Sequence, residues 1–107
     1  MIAQTPSPPY YAVIFTSTLK TASLGYEKMS ELMIDLAKKQ DGYLGIEHAR
    51  SAIGITISYW QDLSSIQNWR HHTEHQLAQK KGIKEWYKNY QIRICKVEQA
   101  HHFSSHQ

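Results

Sequence analysis

The feature that most constrains this chain is the run at residues 53–90, IGITISYWQDLSSIQNWRHHTEHQLAQKKGIKEWYKNY. Its opening alternates: Ile53, Ile55, Ile57 and Tyr59 fall on one side of a pleat, and Gly54, Thr56, Ser58 and Trp60 on the other. Period two predicts a half-buried β-strand over 53–60. Asp62 stands where a helix N-cap belongs, because its carboxylate accepts from backbone N–H groups that the first helical turn leaves unpaired. Leu63, Ile66 and Trp69 follow at helical spacing, and a second helical piece is expected over 75–88, with Ala78, Gly82 and Trp86 on one face. Thr73 is read as the N-cap of that second piece. A strand feeding helices needs further strands to pair with, and the rest of the chain supplies them.

Residues 10–17 (YYAVIFTS) are rich in aromatic and branched side chains and predict the first strand. Over 24–40, Met29, Leu32, Met33, Leu36 and Ala37 repeat at i, i+3, i+4, i+7 and i+8, the stripe of a helix lying on a core. Glu27 near its start and Lys38 and Lys39 at its end suit the helix dipole, and Gly42 suits a left-handed cap. Met29 and Met33 are read as core filling. Residues 43–50 place Leu44, Ile46, His48 and Arg50 on one face and join the 53–60 strand through a short turn as an antiparallel hairpin. Residues 90–98 resume period two as the last strand. The order strand, helix, strand, strand, helices, strand is that of an α+β, ferredoxin-like split βαβ domain, an antiparallel sheet with helices on one face. Apolar residues also stand at alternate positions that the helices cannot cover, so the other face is expected to pack against a second copy.

Length and charge narrow the function. One domain of 107 residues buries a core without disulfides. The single cysteine, Cys95, is read as a small apolar residue inside the last strand. Residues 1–9, with three prolines, are expected to form a flexible arm, 10–98 the domain, and 99–107 a flexible tail. No apolar run approaches the ~20 residues of a membrane span and the start has no secretory pattern, so a cytoplasmic protein without membrane contact is expected. The net charge of +3 is dispersed among nine acids, which argues against a nucleic-acid track. No P-loop, dinucleotide fingerprint, nucleophile elbow or CxxC pair is present.

The segments GYLGIE, SYW-x-D-L-x-x-I-x-x-W and H-x-x-A-Q with a later W-Y resemble the antibiotic biosynthesis monooxygenase-like family of dimeric α+β barrel proteins, over about residues 10–98. The resemblance implies a homodimer whose two sheets pack face to face, with one small-molecule pocket per subunit between sheet and helices. It also implies cofactor-independent oxidation of a small aromatic or quinol-like compound, the substrate's own enolate passing an electron to oxygen. Trp69 matches the family tryptophan whose indole N–H donates to a substrate oxygen. The haem-degrading branch places a histidine ten residues after that tryptophan and an asparagine on the first strand. Here Gln79 holds the first position and residues 10–17 contain no asparagine.

Among the titratable residues, His75 is the candidate general base, since imidazole has a pKa near ~6.5. His48 is the second candidate, Arg50 can stabilise an enolate or carboxylate, and Tyr59 and Trp86 are candidate walls for a flat ligand. His71, His72 and His75 form H-H-x-x-H, but without complementary ligands elsewhere no metal site is expected. The leading function is thus a cofactor-independent monooxygenase with Trp69 and His75 at its centre. The alternatives are a non-catalytic binder of a small hydrophobic metabolite and a haem-binding or haem-degrading protein.

Overall fold

The computed structural model of the protein describes residues 2–21, 25–79 and 83–105, with side chains at all of these except 74–84. The elements run β1 (Tyr10–Leu19), α1 (Tyr26–Lys38), β2 (Tyr43–Arg50), β3 (Gly54–Trp60), α2 (Leu63–Gln79), α3 (Ile83–Trp86) and β4 (Tyr87–Val97). The four strands form one antiparallel sheet in the order β2-β3-β1-β4, the ferredoxin-like arrangement. None of the described helices is long and apolar enough to cross a membrane.

Cross-strand partners share a face, so the register assigns the two sides of the sheet. Tyr11, Val13, Phe15 and Ser17 on β1 oppose Trp60, Ser58, Thr56 and Gly54 on β3, and Ile92 on β4 opposes Phe15. These positions lie under the helices. The isoleucines 55 and 57 and Tyr59 occupy the other face, and Ile55 is 45% exposed. On β2 the register shifts between Tyr43 and Gly45. The bulge makes Leu44 the extra residue, and Tyr43 takes the place beside Trp60 that alternation predicted for Leu44, its ring edge-on to the indole at 5.8 Å.

The core is small and lies at one end of the helix-covered face. Val13, Ala37, Trp60 and Ile66 pack together with at most 2% exposure each, and Tyr11, Tyr43, Trp69 and Ile92 close around them. α1 contributes Met29 and Ala37 from its predicted stripe. The Asp62 cap is present: its Oδ1 accepts from the Ser65 backbone N–H at 2.8 Å, and this bond, with that of the Ser65 side chain, holds the carboxyl below the usual aspartate value.

Three local expectations are corrected. Residues 63–79 form one continuous helix, so Thr73 is an interior residue and no cap. The last strand begins at Tyr87, directly after a single turn of helix, because pairing with Leu19 across a bulge captures residues expected to stay helical. Cys95 is exposed, since as the partner of Ala12 it sits on the face away from the helices.

Gly42 has φ +84° in the turn between α1 and β2, where its carbonyl accepts from the Gln61 N–H at 2.8 Å. A Cβ there would run into the side chain of Ser65 in the first turn of α2. Gly42→Ala is therefore expected to cost roughly 1–3 kcal/mol, combining left-handed strain with displaced packing. A thermal melt followed by circular dichroism checks it.

Residues 2–9 have no regular secondary structure, yet they are tied to the sheet away from the helices. The Ala3 N–H donates to Glu47 Oε2 at 3.0 Å, Thr5 donates to the Tyr10 hydroxyl at 2.9 Å, and the Tyr59 hydroxyl donates to Glu47 Oε1 at 2.6 Å. Burial, then the hydrogen bond to Glu47 and its negative charge, push Tyr59 up to about 12. The folded state thus holds this proton more tightly than the unfolded chain does. Its contribution is whole below pH 10, the ordinary tyrosine value, and is lost as pH rises through about 12. Denaturant midpoints measured across that window should fall less steeply in Tyr59→Phe than in the parent.

Candidate functional site

Away from the small core, the sheet and the two long helices do not meet completely, and a cavity of about 350 Å³ remains between them. That volume lies within the roughly 300–1,000 Å³ typical of small-molecule sites. Its floor is Val13 and Phe15 on β1, Thr56 and Ser58 on β3, Ile46 on β2 and Ile92 on β4. Met29, Ser30, Met33 and Ile34 on α1 form one wall, and Trp69, Arg70 and Thr73 on α2 the other. Met33, read as core filling, thus lines the cavity, as does Met29.

Trp69 stands where core and cavity meet. Its ring stacks on Trp60 at 5.0 Å between centroids and 29° between planes, while the Trp60 indole N–H donates to Ser58 Oγ at 2.8 Å. Among the described residues, neither the buried Trp69 Nε1 nor the buried Thr73 Oγ1 one helical turn later has a hydrogen-bond partner. Residues i and i+4 lie one above the other on a helix, so both orphaned groups belong to the same stripe of α2. A buried donor left unpaired costs about 1–3 kcal/mol, and a cavity is where such a group finds its partner in a ligand.

The far end of the cavity is aromatic. Phe15, Tyr26, Tyr87 and Tyr90 meet edge to face or tilted at centroid separations of 5.4 to 5.8 Å. Burial first, then the neighbouring Tyr26, raises Tyr87 well above the ordinary tyrosine value, so its hydroxyl keeps its proton at neutral pH. Arg50 reaches this end from β2. Its guanidinium passes over Gly54, where any side chain would collide with it, and donates to the hydroxyl of buried Ser17. It also sits 5.2 Å from the Tyr26 ring centroid, a cation–π contact.

The structure brings only part of the sequence-predicted site together. Trp69 lines the cavity and Arg50 stands behind Tyr26 at its edge. His48 shares the face of Ile46 and Arg50 but is exposed and outside the lining, because β2 is an edge strand and the helices do not extend over it there. Tyr59 is corrected to the opposite face of the sheet, since alternation that buries Trp60 under the helices turns its neighbour away. Trp86 is buried but not in the cavity wall, its indole lying close to Gly25. The side chain of His75 lies outside the described residues, as does that of Gln79. Sequence reasoning missed Thr73, Tyr26 and Phe15. Of these, Thr73 was signalled by its spacing of four from Trp69.

No family model matches the chain. The uncharacterized protein YqjZ of Bacillus subtilis is 47% identical over 104 residues, covering 95% of this chain and 91% of that protein. Among solved structures, SnoaB of Streptomyces nogalater, a cofactor-independent oxygenase, superposes with a TM-score of 0.72 at 11% identity, over 87% of this chain and 97% of that one. A structure from Nitrosomonas europaea bearing the antibiotic biosynthesis monooxygenase name gives 0.66 at 9% identity, over 88% of this chain and 94% of that one. At such identities the structural likeness speaks for the fold. The chain therefore belongs to the family of Bacillus subtilis YqjZ, and its fold is that of the antibiotic biosynthesis monooxygenase-like proteins.

Proposed function

We propose that this protein is a cofactor-independent monooxygenase acting on a small aromatic or quinol-like compound in the cavity between sheet and helices. The observation that carries the reading is Trp69 in the cavity wall, its indole N–H without a hydrogen-bond partner among the described residues. An indole N–H donates only, so the group it awaits is an acceptor, such as a ring oxygen. The likeness of the fold to SnoaB, a cofactor-independent oxygenase, adds support. In an anthrone-type substrate, the ring methylene loses two hydrogens and gains one oxygen atom from O2, and the second oxygen atom leaves as water. The electrons come from the substrate. The protein's part is to hold the ring flat against Phe15, Ile92 and the methionines, fix its oxygen at Trp69 and keep bulk water out.

A non-catalytic binder of a small hydrophobic metabolite is the second reading. It is favoured by one feature: the described lining residues include no histidine, aspartate or glutamate. Oxygen uptake by the purified, metal-free protein against hydroquinones and anthrone separates the two. Turnover supports the monooxygenase, whereas quenching of tryptophan fluorescence without uptake leaves only the binder.

The assembly in this reading is a homodimer whose sheets face each other, with Ile55 and Ile57 covered by the second copy. Sedimentation at micromolar concentration should give twice the 12.5 kDa chain mass. A stable monomer would sink the two-sheet barrel.

A further inference from the structure

We propose that residues 2–9 are a strap built onto the sheet, and that its outward side, with Ile2, forms part of the surface on which a second copy of this chain docks. The inference rests on the reading of the protein as a homodimer whose sheets face each other, and it adds a segment outside the sheet to the mating surface.

Three observations lead there. First, the sheet is shaped to receive the strap. Gly45 pairs with Tyr59 on the face away from the helices, and a Cβ on it would stand 2.8 Å from the Ala3 Cβ, closer than unbonded carbons come. The Ala3 N–H donates to Glu47 at 3.0 Å, and Tyr59, edge-on to Tyr10 at 5.9 Å between centroids, donates to the same carboxylate. Tyr10 points away from the helices yet is only 5% exposed, its hydroxyl accepting from Thr5. Lifting the strap would uncover Tyr10 and take a donor from Glu47, so an incoming copy meets the strap rather than the sheet beneath it.

Second, what the strap leaves bare is apolar, and the strap extends it. Ile14 opposes Ile57 on this face, and Ile55, beyond them, is 45% exposed. Within the strap Ala3 and Thr5 are half-buried, whereas Ile2 and Gln4 are exposed, Ile2 at 72%. The Ala3 Cβ lies over Gly45 and its N–H reaches Glu47, the cross-strand partner of Ile57. The backbone is thus heading for the isoleucines as it reaches Ile2, which stands at the border of their patch. Third, the charges beside the patch suit a copy of itself. Arg93 on β4 and Glu47 on β2 flank it on opposite sides. A two-fold mate can lay each flank against its opposite, so an apolar centre between unlike charges is self-complementary.

The test is the self-association constant of the full chain, measured by sedimentation for the parent and four variants. Ile55→Asp should weaken association at least about a hundredfold, since a charge is then buried without a partner on both sides of the dyad. Ile2→Asp should weaken it at least about tenfold, because an isologous interface loses the same apolar side chain twice. Ile2 is exposed in the single chain, so that variant folds as the parent does. Gly45→Val fills the notch and displaces Ala3 without altering the isoleucines, and should weaken association as Ile2→Asp does. Leu63→Asp, at the start of α2 on the helix side, should associate like the parent. Amide exchange reads the strap directly: the Ala3 N–H should exchange at least about tenfold more slowly than in an unstructured chain, and lose that protection in Gly45→Val.

A dimer broken by Ile55→Asp but indifferent to Ile2→Asp and Gly45→Val overturns the proposal and keeps the homodimer. A parent that stays monomeric overturns both, and oxygen uptake then decides the monooxygenase on its own. An unprotected Ala3 amide in the parent overturns the strap whatever the assembly.

Discussion

Trp69→Phe is expected to lower substrate-dependent oxygen uptake by about 10²- to 10³-fold while the protein stays folded. The range is that observed when one preorganised donor to a developing oxyanion is removed in a dry site, roughly 2.7–4 kcal/mol of barrier. Phenylalanine keeps a flat ring to stack on Trp60, so the variant loses the N–H more than the packing. The split between kcat and KM carries the mechanism. A donor that strengthens as charge moves onto the substrate oxygen lowers kcat, whereas one that only holds the ligand raises KM. A variant that turns over at the parental rate would show that Trp69 is a wall and nothing else.

Trp60→Ala is expected to be the most damaging single change, costing about 3–5 kcal/mol, within the range for deleting a buried aromatic ring. Trp60 is fully buried, packs with Val13, Ala37 and Ile66, stacks on Trp69 and donates to Ser58. Its removal opens a void in the packed cluster beside the cavity and strips the support from Trp69. For a domain of this size each kcal/mol corresponds to several degrees, so the melting temperature should drop by roughly 10–30 °C. Leu63→Ala is the control: Leu63 is 48% exposed at the start of α2, and its loss should stay within about 0.5 kcal/mol. Comparable losses from the two substitutions would mean that the core has been misplaced.

Much of this architecture is legible from local chemistry. Alternation over 53–60, the stripe of α1 and the Asp62 cap are short-range signals, decided within a few residues, and each forms where it is expected. The candidate site is less legible, for reasons visible at particular residues. In β3 the isoleucines look like the core side by hydropathy, yet Thr56, Ser58 and Trp60 lie under the helices. Both sides of that strand are partly apolar, so hydropathy does not rank them. A helix N-cap and a helix interior both accept threonine, and the residues around 73 carry no break that separates the two. What decided it was continued helical hydrogen bonding through Gln79. Tyr59, read as a wall for a flat ligand, follows the isoleucines to the face away from the helices, because the pleat sends it opposite to its neighbour Trp60.

The sequence by itself determined the order of strands and helices and the antiparallel ferredoxin-like sheet, because propensity, periodicity and capping act over a few residues and need no knowledge of the remainder of the chain. Only the tertiary structure decided that the helices cover one face incompletely, that the space left is about 350 Å³, and that Trp69 and Thr73 stand in its wall. A cavity is the volume that packing fails to fill. It depends on the directions and sizes of side chains from six elements at once, and no local pattern in the chain carries that sum.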